Sequence, residues 1–170
     1  FVDQNFSSAN DPFDNAAADD FVVTGGGWNV SRVDLTGVYF NGSGPADSFD
    51  VTIYADAGGV PGAPVCSDPG LSYTNSGTSF SIPLSSVCAL SAGTYWLSAV
   101  ANMDFAVGGE FGWSAFAPAS LPGSVGKWQN PGDGFGTGCT SWGDVDTCLS
   151  FPGTNSFGFQ IVGSTGTGGT

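Results

Sequence analysis

Apolar and polar residues alternate in short runs along most of this chain, and turn-forming residues separate the runs. In Phe49-Asp50-Val51-Thr52-Ile53-Tyr54 the residues Phe49, Val51 and Ile53 fall on one face. The same period of two runs through Trp28–Leu35 and Ser79–Leu84, and Gly93–Val100, Gly112–Phe116 and Ser156–Val162 read as further strands. Shorter apolar runs occur at Asp20–Val23 and Val38–Phe40. Period two is the mark of strands with one buried face. The connections are dense in Gly, Pro, Asn and Asp, as in Asn41-Gly42-Ser43-Gly44-Pro45 and Asp56-Ala57-Gly58-Gly59-Val60-Pro61-Gly62, which are turn signals. About eight to ten strands in one domain predict an all-β fold, a two-sheet antiparallel β-sandwich with jelly-roll-like connections. The domain is expected to span residues 1–162. Residues 163–170 are Gly, Ser and Thr only and read as a linker or tail.

Composition sharpens this picture. The chain has 170 residues, enough for one domain with its own core. Charged residues are 10% of the chain, against a usual quarter, so Ser, Thr, Asn, Gly and Asp must cover the surface. Of the 15 acidic residues all but Glu110 are Asp, and against them stand only Arg32 and Lys127. Asp favours turns, while the helix-favouring Glu and Lys are nearly absent. The net charge of −13 excludes nucleic acid as a partner, because phosphate binding needs clustered Lys and Arg. No apolar run approaches the length that crosses a bilayer, so membrane insertion is not expected. The chain begins Phe1-Val2-Asp3 without a leader-like segment and reads as a mature or excised piece.

Four cysteines, Cys66, Cys88, Cys139 and Cys148, read as two disulfides formed in an oxidising compartment, and the protein is expected to be secreted. Three pairings exist; the sequence-local one, Cys66–Cys88 with Cys139–Cys148, is the expected one. The spacings match no zinc pattern, and the chain has no His.

The absence of His removes Ser–His–Asp and Cys–His catalysis. Ser124-Val125-Gly126-Lys127 fits a Ser-x-x-Lys pattern, but Pro122, Gly123 and Gly126 deny it the helix that the chemistry needs. Gly132-Asp133-Gly134-Phe135-Gly136-Thr137-Gly138 lacks the Lys and the following helix of a phosphate loop. Two Asp residues acting as a glycosidase pair are the only enzymatic reading left.

Two binding readings remain. Asp11, Asp14, Asp19 and Asp20 place four carboxylates in ten residues, a hard-oxygen set that predicts a structural calcium site. The alternative is a solvated acidic loop. Trp128 and Trp142 lie in a Gly-rich, irregular stretch together with Asn130 and Asp133. Exposed indoles with nearby Asn and Asp are a design for holding sugars. The alternative is that both indoles pack over the end of the sandwich.

The runs Ala18–Phe21, Val51–Gly62, Ala92–Ser98 and Trp128–Thr140 resemble a group of uncharacterised secreted bacterial β-sandwich domains that occur in surface proteins and beside secreted hydrolases. That resemblance implies an extracellular location and an accessory role, and it brings no catalytic residue or ligand with it. The leading expectation is a non-catalytic extracellular binding or adhesion module for polysaccharide or cell-surface glycan. The second is a structural subunit of a filament or surface layer that binds copies of itself by strand exchange, with Phe1–Phe6 or the tail as donor.

Overall fold

A computed structural model describes residues 1–116, 123–151, 153 and 156–166. In chain order the elements are β1 (Gln4–Asn5), a 3-10 turn η1 (Ser8–Phe13), β2 (Ala16–Val23), β3 (Trp28–Phe40), β4 (Ser48–Asp56), β5 (Pro61–Leu71), β6 (Thr74–Ser76), β7 (Ser79–Leu90), β8 (Gly93–Asn102), α1 (Phe105–Gly108), β9 (Glu110–Trp113), β10 (Ala115–Phe116), β11 (Lys127–Gln129), β12 (Gly143–Asp144), α2 (Val145–Cys148), β13 (Ser156–Phe157) and β14 (Phe159–Thr165). The expected all-β sandwich with two disulfides is present. One sheet has the order β12-β11-β2-β8-β4-β5, with β1 added parallel to β8. The other has the order β14-β3-β7-β6, with β9 on the far half of β3. The chain crosses between the sheets at β2–β3, β3–β4, β5–β6, β7–β8 and β8–β9, and it makes hairpins within a sheet at β4–β5 and β6–β7.

Alternation decides which face each residue takes. Phe49, Val51 and Ile53 of β4 are buried in the core, as are Leu97, Ala99 and Ala101 of β8. Val30 and Val33 of β3 are three apart yet both face inward. The register between β3 and β14 shifts at Val162/Gly163, opposite Ser31. A bulge there absorbs one residue and restores the pattern. Between the sheets Phe49, Phe80 and Phe111 meet with centroids 5.1–5.9 Å apart, mostly edge to face, the arrangement that aromatic quadrupoles favour.

The strand β14 runs on through Ser164 and Thr165, paired with Asn29 and Trp28. The sandwich therefore reaches past residue 162: Gly163–Thr165 are a bulged strand end rather than a linker, because their backbone completes the ladder on β3. Residues 167–170 of the expected tail lie outside the described residues. The N-terminal segment is also used internally. Gln4 and Asn5 pair with Ala101 and Asn102, and Val2 bridges Gly112.

Cys66–Cys88 joins β5 at the edge of one sheet to β7 in the other, and Cys139–Cys148 ties the loop after β11 to α2. Closing loops with sequence separations of 22 and 9 removes unfolded-state entropy worth about 3 kcal/mol each, slightly more for the longer loop. Replacing both Cys66 and Cys88 by Ala is expected to lower unfolding free energy by about 3 kcal/mol, read from urea denaturation, with the sandwich otherwise intact.

Candidate functional site

The four residues expected to hold sugar do not come together. Trp128 is fully buried on the core side of β11. Its indole Nε1 donates to the Val2 carbonyl at 3.0 Å. The stretch around it is not all irregular. Residues Lys127–Gln129 form a strand between β2 and β12, and Trp128 sits opposite Ala17, small enough to leave the indole room. Trp142 is half-buried and lies elsewhere, edge-on to Tyr54 at 6.0 Å, and Tyr54 points away from the core between the inward-facing Ile53 and the next position. Asn130 is fully buried. Its amide donates to the Pro12 and Asp14 carbonyls and accepts from Phe135 N–H, so it is a clamp. Asp133 is exposed and closes its own loop by accepting from Gly138 N–H.

The four Asp residues expected to bind calcium lie in two pairs, Asp11 with Asp14 at η1 and Asp19 with Asp20 on β2. Asp14 accepts from Phe6 N–H beside η1, where Asp11 also lies. Asp19 and Asp20 occupy successive positions of β2, and their carboxylates lie close enough that, besides burial, Asp20 helps to raise the Asp19 pKa. Among the described residues no three His, Cys, Asp or Glu side chains gather in one place. The Ser-x-x-Lys residues also have separate partners, Ser124 on Asp20 and Lys127 on Asp144.

A groove of about 350 Å³ runs along one edge of β2. Strand β11 covers that edge only at Ala16–Ala18. Beyond Ala18, β2 pairs with β8 alone, and the groove opens between β2 and the neighbouring sheet. Its walls include Asp19, Asp20, Phe21, Trp28, Phe157 and Phe159. Phe21 and Trp28 lie nearly parallel, 12° apart with centroids at 6.2 Å, and Phe159 meets Phe21 edge-on. All three rings are half-buried, each with part of its surface left to the groove.

Asp20 is held at the rim by the N–H and the hydroxyl of Ser124. The backbone at Gly123 has φ 122°, and a Cβ there would stand 2.6 Å from Asp20 Oδ1; glycine lets that segment approach the carboxylate. Asp19 lies on the inner side. Its oxygens accept from Asp20 N–H and Phe157 N–H. Burial pushes its pKa up to about 7, against those two donors, which favour the ionised form.

Sequence reasoning missed Phe21, Trp28 and Phe159 as a site. Each reads as an ordinary apolar strand residue, and only the strand order shows that none of the described strands covers β2 there.

The raised Asp19 value sets a pH dependence. An acid whose folded value lies above its unfolded 3.8 contributes stability below about pH 4, and that contribution is lost as pH rises through 7. Asp3, fully buried, is raised by burial in the same direction. Unfolding free energy is therefore expected to fall between pH 4 and pH 8. Asp19→Asn should flatten that slope, by up to about 4 kcal/mol across the window, even though the amide nitrogen cannot accept a bond and lowers stability overall. An unchanged slope in chemical denaturation at four pH values would show that Asp19 is not the titrating group.

Comparison with known proteins finds no family, no characterised protein sequence and no solved structure that matches this chain.

Proposed function

We propose that this chain is a non-catalytic, secreted binding module directed at extracellular glycans, with the β2-edge groove as its site. The observation that carries this reading is the pairing of a half-buried aromatic ledge, Phe21, Trp28 and Phe159, with a carboxylate at its rim. Apolar sugar faces lie against aromatic rings, and sugar hydroxyls donate to carboxylates. The two bonds from Ser124 leave Asp20 with acceptor capacity unused, since a carboxylate has about four lone-pair positions. Two disulfides fit an oxidising compartment, and the likeness to secreted surface domains agrees with the location.

A glycosidase fits this groove less well. The acid and base of that chemistry must face one another across the bond they cleave. Here the two carboxylates at the groove, Asp19 and Asp20, are neighbours on one strand and interact with each other rather than facing across a bond.

Affinity electrophoresis through gels of plant and microbial polysaccharides tests the binding reading. Retardation by at least one polysaccharide is expected, and Trp28→Ala should weaken it about tenfold, as the loss of an aromatic anchor does. Trp142→Ala should leave it in place. Equal retardation of wild type and Trp28→Ala would sink the assignment of this groove.

A self-assembling subunit is the second reading, favoured by β14. Among the described strands it has one neighbour, β3, so its other edge is available to a strand from another copy. Of the two expected donors, Phe1–Phe6 is already built into its own domain. Light scattering on material never denatured is expected to give a monomer mass of 17.1 kDa; a polymer or regular fibre would make the second reading the function.

A further inference from the structure

A second cleft, of about 240 Å³, lies at η1 and the ends of β8 and β11. Its walls are Phe6, Phe13, Phe105 and Phe135, with Glu110 and Asn10. These rings come from three parts of the chain, the N-terminal segment (Phe6 and Phe13), α1 and the loop after β11. Phe6 and Phe105 form one tilted pair at 6.5 Å, and Phe13 and Phe135 form an edge-to-face pair at 5.3 Å. Phe13, Phe105 and Phe135 are exposed although each is a large apolar ring.

The loop that carries Phe135 is built to hold it there. Asn130 Oδ1 accepts from Phe135 N–H, and Asn130 Nδ2 and Gly134 N–H both donate to the Pro12 carbonyl. A Cβ at Gly134 would stand 2.5 Å from that carbonyl oxygen. Buried Trp128 supports the Phe135 ring at 5.9 Å. The glycine-rich stretch 132–138 thus packs one phenyl ring against η1. On the other side Asp104 caps α1 through Ala106 N–H and sets Phe105 at the first helical position.

The charge around this cleft is all negative. Glu110 lines it, Asp104 precedes Phe105, and Asp11 and Asp14 flank Phe13. The protein's two basic side chains are engaged elsewhere, Arg32 with Asp34 and Lys127 with Asp144. Aromatic rings attract cations through their quadrupole, and they favour weakly hydrated, alkylated ammonium groups. The cleft is smaller than the roughly 300–1,000 Å³ of sites for drug-sized ligands, which suits a head group.

We propose that this four-phenylalanine cleft binds a small quaternary ammonium compound of the choline type, with the rings around the methyl groups and Glu110 supplying the counter-charge. The site is separate from the glycan groove and does not rest on it. Free cations are favoured over zwitterions here, because a phosphate or carboxylate on the ligand would meet the same carboxylates.

Titration calorimetry with the whole chain tests this, using choline, tetramethylammonium, phosphocholine and 3,3-dimethylbutan-1-ol, the neutral carbon isostere of choline. Choline and tetramethylammonium are expected to bind saturably, choline about tenfold more tightly than the neutral isostere, and phosphocholine more weakly than choline. Phe105→Leu, an exposed site where apolar bulk is kept and the ring is lost, should weaken choline binding about fivefold or more, and Glu110→Gln should weaken it while sparing the isostere. Equal or tighter binding of the neutral isostere would reduce the cleft to an apolar dent. No saturable binding of either cation would overturn the proposal outright.

Discussion

Strand β2 is bonded to β11 along one side over Ala16–Ala18 and to β8 along the other over Asp19–Val23. Each half therefore has a side on which none of the described strands completes the ladder. Buried backbone N–H groups do not stay unpaired, and here side chains take the place of the missing strand. Asp3 Oδ1 accepts from Ala17 N–H on the side that β8 has left. Asp19 accepts from Phe157 N–H on the side that β11 has left. Gln4, fully buried beside them, accepts from Phe111 N–H and donates to the Met103 and Gly109 carbonyls. The change of partner along one strand thus accounts for buried Asp3 and Asp19, and it also opens the groove beyond Ala18.

These substitutions have an electrostatic cost that the composition cannot offset with basic side chains. With two basic residues against 15 acidic ones, no Lys or Arg pairs with the buried carboxylates: Asp19 has only N–H donors, and Asp3 has one N–H donor and the N-terminal ammonium of Phe1. Burial then outweighs the donors, and both Asp3 and Asp19 hold their protons more firmly than an exposed Asp. The same scarcity shapes the surface. Lys127 is kept on Asp144 and over the Trp96 ring at 5.7 Å, and Arg32 on Asp34. The aromatic clefts are consequently left with carboxylates around them and no positive charge of the protein's own.

The sandwich was legible because alternation is a local property: Phe49, Val51 and Ile53 declare a face wherever their strand lies in the sheet. Both disulfides were legible too, since the sequence-local pairing closes short loops. The sites were not. Trp128 looked available because glycine and proline surround it in sequence, yet a three-residue strand was enough to carry it into the core. Trp28 looked structural because it opens a strand, yet it lies where a neighbouring strand has stopped. The four carboxylates at 11, 14, 19 and 20 are close in sequence, but the fold sorts them into two pairs, Asp11 and Asp14 at η1 and Asp19 and Asp20 on β2. The four phenylalanines of the second cleft are at positions 6, 13, 105 and 135, and no local pattern joins them. In each case the deciding fact was which strand ends where, a property of long-range pairing.

The glycine-rich stretch 132–138 shows the same limit from the other side. By composition it permits many conformations and suggests a loose loop. In the fold it is fixed at several points: Asn130 from beneath, the Pro12 carbonyl alongside, and the Cys139–Cys148 disulfide just beyond it. Gly132 and Gly134 are there because backbone must touch backbone at η1, while Gly136 and Gly138 have open space and take positive φ of 65° and 75°. A residue with a side chain at 132 or 134 would press on Pro12, at 2.6 Å and 2.5 Å respectively, and move Phe135 off Trp128. Glycine here serves close approach, and the ordering entropy it adds is offset by the disulfide, which removes conformations from the unfolded chain in the same region.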